Sequence, residues 1–585
     1  MNLSPMPSSL IFAARRFAPL LLVLAAGPAL AQNIPPPAPA VVPPLAEQAE
    51  APAADGHLPK QELSGQILYQ FLLAEIAGQR GQLALASGLY LDLAKTTRDP
   101  RIVRRAAEVA FYAKQYEQAL EAVRLWLELE PEAKQARQME ATLLLASGRV
   151  DELAKRFGGE LKLAGPRAGE LLLQLAQVFA RYPDKAVVAR LFEQVTAPWP
   201  NLPEAHLLRS QAALGVGDKA RAGAEIDQAL ALRPDWELAA LLKADQLPRG
   251  AAQLDYLKQF LLAHPQANDV RLGYARTLVA EKRYAEARGE FQTLLAVRPD
   301  HPDVLFAVGV LSLQLDDTAE AEYRLRRFVE IGRGDLDTAR YYLGQIADQD
   351  KRSDQALAWY QAVAAGEHLL PARVRAAQIL FQQNKLDAAR EQLEAARAVL
   401  PGDVRLTIAE AQLMRDAGHH ADAYALLSEA LAAQPDDPDL LYETALAAEA
   451  LGYLDVLEKH LRRLIELKPD SAQAYNGLGY SLADHDQRLP EAAQLIDKAL
   501  ELAPNDPFIL DSKGWVSFRQ GQLEPALEYL RRAYTQRSDP EIAAHIGEVL
   551  WALGRRDEAL KLWREAAKTH PQNKALETTI KRFVP

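Results

Sequence analysis

The 585-residue chain contains no cysteine, which excludes a disulfide framework, a thiolate zinc site and a catalytic thiol. Its formal net charge of −11 speaks against nucleic acid as the main partner and against a polybasic membrane surface. Good helix formers dominate, long β-branched runs are scarce, and the length exceeds that of one average domain.

In chain order, residues 1–31 read as a secretory signal. Arg15 and Arg16 supply the positive n-region, 18–30 (APLLLVLAAGPAL) the apolar h-region, and Ala29-Leu30-Ala31 an A-x-A cleavage site that starts the mature chain at Gln32. The arginine pair also admits a twin-arginine reading. The apolar run is short and broken by Pro28, so it predicts no stable membrane anchor, and no other segment is apolar enough to span. Without a lipobox cysteine the expectation is a soluble periplasmic protein, with peripheral association with the envelope left open. Residues 32–60 carry Pro35, Pro36, Pro37, Pro39, Pro43, Pro44, Pro52 and Pro59 and read as a disordered, extended linker.

From 61 to 571 the pattern is helical and periodic. Prolines recur at 265 and 299, then at 401, 435 and 469, always 34 apart; Pro504 and Pro571 follow in near register. Ala287, Ala321, Ala356, Ala389, Ala423, Ala492, Ala526 and Ala559 keep the same phase, with Leu457 filling one gap. Gly309, Gly344, Gly479, Gly514 and Gly547 place a small residue in the first helix of a unit, and Gly148, Gly217, Gly418, Gly452, Gly521 and Gly554 mark the turn after it. Two helices of about a dozen residues, a turn and a connector make one such period, and a lone hairpin cannot bury its apolar stripe. The segments 132–200 and 235–265 keep the period poorly. Residues 572–585 predict a capping helix, with Leu576, Ile580 and Phe583 on one face.

These markers resemble the tetratricopeptide repeat. In 472–504, Tyr475, Leu478, Gly479, Ala492, Ala499 and Pro504 match the family pattern, with one extra residue in the turn. The resemblance implies an all-α, right-handed superhelical α-solenoid of roughly 13–15 helix-turn-helix repeats. A closer similarity links 68–82, 97–120 and 509–560 to proteobacterial periplasmic or outer-membrane repeat proteins that act as adaptors of a carboxyl-terminal processing protease. It implies a protein partner, the protease or its cell-wall hydrolase substrates. Ala31-Gln32 stands where the lipoprotein members carry a lipidated cysteine. The alternative expectation is a structural scaffold of an envelope export or polysaccharide secretion assembly. Such scaffolds usually add a β-barrel or enzymatic module, and none is read here.

No nucleotide-binding, zinc-protease or nucleophile-elbow motif occurs, so no cofactor, metal or catalytic residue is expected, and the chain reads as a non-enzyme. His264, His301, His368, His570 and the His419-His420 pair read as solvated residues of turns and junctions. Asp436, Asp437 and Asp439 read as helix-capping carboxylates before a calcium site. The basic pairs Arg104-Arg105, Arg326-Arg327, Arg462-Arg463, Arg531-Arg532 and Arg555-Arg556 have acidic neighbours and read as solvated faces. In the family the resemblance names, the first helix of each repeat lines the binding groove. Carried onto this chain, that assigns partner binding to Asn476, Tyr480, Asp511, Trp515, Phe518, Arg519, Glu548 and Trp551, with Ala544 beside them. Trp515, Phe518 and Trp551 would form an aromatic anchor, or would pack against the next repeat as most helix-spaced rings do.

Overall fold

The computed structural model describes residues 63–179, 182–571 and 573–584. The expected signal, its cleavage site and the proline-rich linker to residue 60 lie outside the described residues. Among those described, the secondary structure is helical throughout, from Gly65–Gln79 to Lys574–Phe583, and successive hairpins stack as an α-solenoid. The chain divides between Pro299 and Asp300 into two compact units.

The N-terminal unit opens with regular hairpins, Gly65–Gln79 on Leu83–Thr97 and Pro100–Tyr112 on Tyr116–Leu129. The regularity breaks where the period weakens. A short 3-10 turn, Gly165–Arg167, follows Val150–Ala164, and pairing then skips a helix. Val150–Ala164 packs on Lys185–Thr196, while Ala168–Phe179 packs on Pro203–Gly215. Gly169 meets Glu204 of Pro203–Gly215, 2.7 Å from its added methyl, but Gly158 and Gly159 of Val150–Ala164 meet no neighbour. Phe157, Phe179 and Phe192 fill the space edge-to-face instead, with centroids 6.1 and 6.2 Å apart. Rings of that size hold helix axes apart and need a second layer to cover them.

In the C-terminal unit each first helix lies against its second at a small residue. A methyl on Gly309 would fall 2.7 Å from Leu325, on Gly344 2.7 Å from Tyr360, on Gly479 2.8 Å from Ile496, and on Gly514 2.5 Å from Leu530. The spacing of glycine in the first helix is thus a packing requirement. Helix starts have an equally local cause. Asp437, Asp506 and Asp539 each precede a proline, and each carboxylate accepts from first-turn N–H groups, Asp506 from Phe508 at 2.9 Å and Ile509 at 3.2 Å. The proline tolerates the first turn because its missing donor would be unpaired there. Asp506→Ala is expected to cost about 1 kcal/mol. Faster amide exchange at Phe508 and Ile509 would register it, and unchanged exchange would remove Asp506 as the cap.

The basic pairs are bound up in ion pairs, many reaching one repeat along the chain. Arg463 reaches Asp436 at 2.8 Å, Arg327 reaches Asp300 at 2.8 Å, Arg462 reaches Glu491 at 2.5 Å, and Arg555 takes Glu558 at 2.6 Å. Most are exposed, so each contributes little singly. The solvated reading fails for His368. Its ring stacks on Tyr341 at 4.5 Å and 9°, and burial pulls its imidazole below the ordinary value. The last helix, Lys574–Phe583, buries Leu576 and packs Ile580 and Phe583 on the final hairpin.

Candidate functional site in the last first-helix face

Four consecutive first helices, Pro438–Ala450, Ala472–Asp484, Pro507–Arg519 and Pro540–Ala552, lie side by side in the C-terminal unit. One period carries a side chain to the same height on the next helix, so contacts between them recur about one repeat apart. Trp515 Nε1 donates to Asp484 Oδ1 at 3.2 Å, and Arg519 donates to the Asp484 carbonyl at 2.8 Å while pairing with Asp486. His545 Nδ1 lies 3.0 Å from Asp511 Oδ1. Thr579 Oγ1 donates to Glu548 at 3.5 Å, and Arg582 pairs with the same carboxylate.

These contacts sort the residues chosen from sequence. Trp515 is only 5% exposed, sits in the core cluster with Leu478, Leu482 and Val516, and carries the His545 ring stacked at 4.2 Å. Asp511 and Glu548 are buried. Phe518 and Arg519 are half-buried beside Trp515, the Phe518 ring 5.2 Å from it. Trp551 does not join them. It stacks on Trp563 at 5.9 Å and meets Phe583 at 5.6 Å, so the expected three-ring patch is two separate packing groups. Each ring finds a nearer partner than the other: Trp515 takes His545 of the next first helix, and Trp551 takes Trp563 of its own hairpin, which Gly547 lets reach across. Ala544 is buried, and its carbonyl accepts from Trp563 Nε1 at 3.3 Å. Asn476 and Tyr480 are half-buried on one helix face, a turn apart.

Sequence reasoning missed His545, Glu541 and Glu449. The signal available was distance: His545 lies 34 residues beyond Asp511, one period. Burial pulls the His545 imidazolium down, but the Asp511 charge and hydrogen bond, with Glu548 and Glu541, override it and raise the group to about 9. Burial pushes the Glu541 carboxyl up to about 7, helped by Asp539 and Asp511, and burial likewise lifts Glu449 to about 7 against the Ser481 hydroxyl. All three values exceed their unfolded ones, so each group's stabilisation is full below the unfolded value and is lost as pH rises through the folded one. For His545 the window runs from about 6.5 to about 9. The C-terminal unit is therefore expected to lose on the order of 3 kcal/mol across that window. His545→Gln should flatten the dependence. Urea midpoints against pH measure it, and parallel curves for both chains would refute the charged His545–Asp511 pair.

Among the described residues no three histidine, aspartate or glutamate side chains converge to hold a metal ion, and no helix is long and apolar enough to cross a membrane. The fold and this face are those of a repeat scaffold that presents side chains from successive helices. The comparisons agree. Models described as tetratricopeptide repeat match residues 249–307 and 458–507. The TPR repeat-containing protein PA4667 of Pseudomonas aeruginosa is 34% identical over 493 residues, covering 82% of each chain. The chain belongs to the tetratricopeptide-repeat proteins. Cellulose synthase operon protein C of Pseudomonas fluorescens is 26% identical over 355 residues, covering 50% of this chain and 28% of that one. A solved structure, TTC0263, a thermophilic TPR protein of Thermus thermophilus, is 23% identical with a TM-score of 0.28, covering 30% of this chain and 95% of that chain. Fold and family are in general those of protein–protein interaction scaffolds.

Proposed function

We propose that the protein is a periplasmic scaffold that binds a carboxyl-terminal processing protease and brings cell-wall hydrolase substrates to it. The observation that carries protein binding is the surface of the first described helix, Gly65–Gln79. Leu68, Tyr69, Leu72 and Ile76 are 44, 66, 49 and 46% exposed, and Leu68, Leu72 and Ile76 follow one another at one-turn spacing. End repeats of an array ordinarily turn a polar face outward. A contiguous apolar stripe there marks a surface that a partner covers. The adaptor assignment rests on the sequence resemblance over 68–82, 97–120 and 509–560. The second reading, a scaffold of an export assembly, draws on the similarity to cellulose synthase operon protein C.

Affinity capture from an envelope fraction followed by mass spectrometry separates the two. Recovery of a processing protease with wall hydrolases supports the adaptor. Recovery of export subunits without either replaces it with the second reading. Leu72→Glu with Ile76→Glu is expected to lower partner recovery at least tenfold without changing helical content, since each introduced charge would have to be desolvated in the interface. Undiminished recovery would show that the stripe is not the contact.

A further inference from the structure

His206, in the first turn of Pro203–Gly215, holds two acceptors at once. Its Nε2 lies 2.8 Å from the Pro200 carbonyl, in the connector from Lys185–Thr196, and its Nδ1 lies 2.7 Å from Glu225 Oε2, on Lys219–Leu232. A carbonyl has no proton to give, and the Glu225 carboxylate has the Arg209 guanidinium 3.7 Å from its other oxygen. A neutral imidazole carries one N–H and can donate to only one of these partners. The ring is 8% exposed, which leaves little room for water to replace either bond.

One repeat position further along, a permanent cation makes the same two contacts. Arg271 stands 6 residues after Pro265 and 19 before Glu290, as His206 stands to Pro200 and Glu225. Its Nη2 donates to the Pro265 carbonyl at 2.8 Å and its Nη1 to Glu290 at 2.5 Å. Arg137 likewise donates to the Pro131 carbonyl at 2.7 Å. The position thus ties a connector to a hairpin through a doubly donating cation, and at 206 that cation can lose its charge. The other charges on the helices packed against Pro203–Gly215 are engaged or face outward. Glu204 takes Arg233 at 2.6 Å, Glu193 takes Arg221 at 2.9 Å, and Asp227 pairs with Lys243. Lys185 lays its stem against Gly215, and Glu170, Arg190 and Lys219 are exposed.

We propose that His206 is a proton-operated clasp on the joint between the irregular stretch 150–196 and the hairpin that follows it. With both ring nitrogens protonated, the clasp holds the connector and the second helix together. Loss of one proton leaves a lone pair facing an acceptor, and one arm opens. Imidazole exchanges its proton between about pH 5 and 8, so the joint is closed on the acid side and loosens as pH rises.

Hydrogen exchange of the full chain, read by mass spectrometry, tests this, with protection taken relative to an unstructured amide at the same pH. Between about pH 5.5 and about pH 8.5, residues 197–206 are expected to lose protection about tenfold, the size of one lost hydrogen bond to a charged group. The equivalent stretch 262–271, clasped by the permanently charged Arg271, should change less than about twofold. His206→Arg should keep the protection at both ends of the range. His206→Gln, whose amide donates at one end and accepts at the other, should lack it at both. A profile for 197–206 as flat as that for 262–271 would overturn the clasp. So would His206→Arg with the wild-type pH dependence, since another group would then be titrating, or an equal loss in both stretches, which would mean a general loosening of the unit.

Discussion

Gly547→Ala is expected to unfold the end of the array. The added methyl would lie 2.0 Å from Nε1 of Trp563 and 2.1 Å from its Cε2. Trp563 is 1% exposed, donates to the Ala544 carbonyl, is stacked by Trp551 and has Phe583 tilted against it. It is a rigid ring with no free end to swing aside. Overpacking costs about 1–3 kcal/mol where neighbours can give. Here the ring has to leave, and the loss approaches the ~3–5 kcal/mol of deleting a buried tryptophan. Repeat arrays lose structure locally, so the damage should stay near the C-terminal end. Hydrogen exchange would show Pro540–Ala552, Arg556–Thr569 and Lys574–Phe583 losing protection while the N-terminal unit keeps its own. Gly289→Ala is the control. Nothing lies within 4 Å of its added methyl, and a helix-interior glycine replaced by alanine gains about 0.5–1 kcal/mol. Wild-type protection in Gly547→Ala would show that Trp563 does not occupy that space.

Trp515→Ala carries the second large effect. It removes a side chain 5% exposed, the hydrogen bond to Asp484 and the stacking surface of His545, for about 3–5 kcal/mol. Trp515→Phe keeps most of the packing and loses the indole donor, so it should cost about 1–2 kcal/mol. The alanine variant is expected to capture protein partners normally per folded molecule at low temperature. An unchanged denaturation midpoint with lost binding would reverse the assignment and make the ring a contact surface. His545 connects the two questions, because it is held by the ring on one side and by Asp511 on the other.

The structure bears out the repeat period because each marker has a local cause. Gly521 takes φ +80° in its turn, Asp506 caps a helix, and Gly514 admits Leu530. Residues 150–196 were not legible in the same way. Bulky phenylalanines there satisfy a helical pattern equally well in a regular hairpin and in the skipped pairing that the structure adopts. Among the proposed contact residues, the helix face was legible but the depth was not. Tyr480 and Trp515 occupy equivalent places beside Gly479 and Gly514, yet one ring is half-open and the other is covered.

What the amino-acid sequence determined alone is the periodic part: helices, their caps and turns, the small residues at each crossing, and the family. These depend on neighbours within one hairpin, which the chain order supplies. Only the tertiary structure decided which side chains are taken up inside and which stay open. Trp551 turned to Trp563 and Phe583, His545 took Asp511, and Asn476 Oδ1 was sealed from solvent without a hydrogen-bond partner. Those outcomes depend on distances between residues about one repeat apart, where competition among several partners of similar chemistry is settled by geometry.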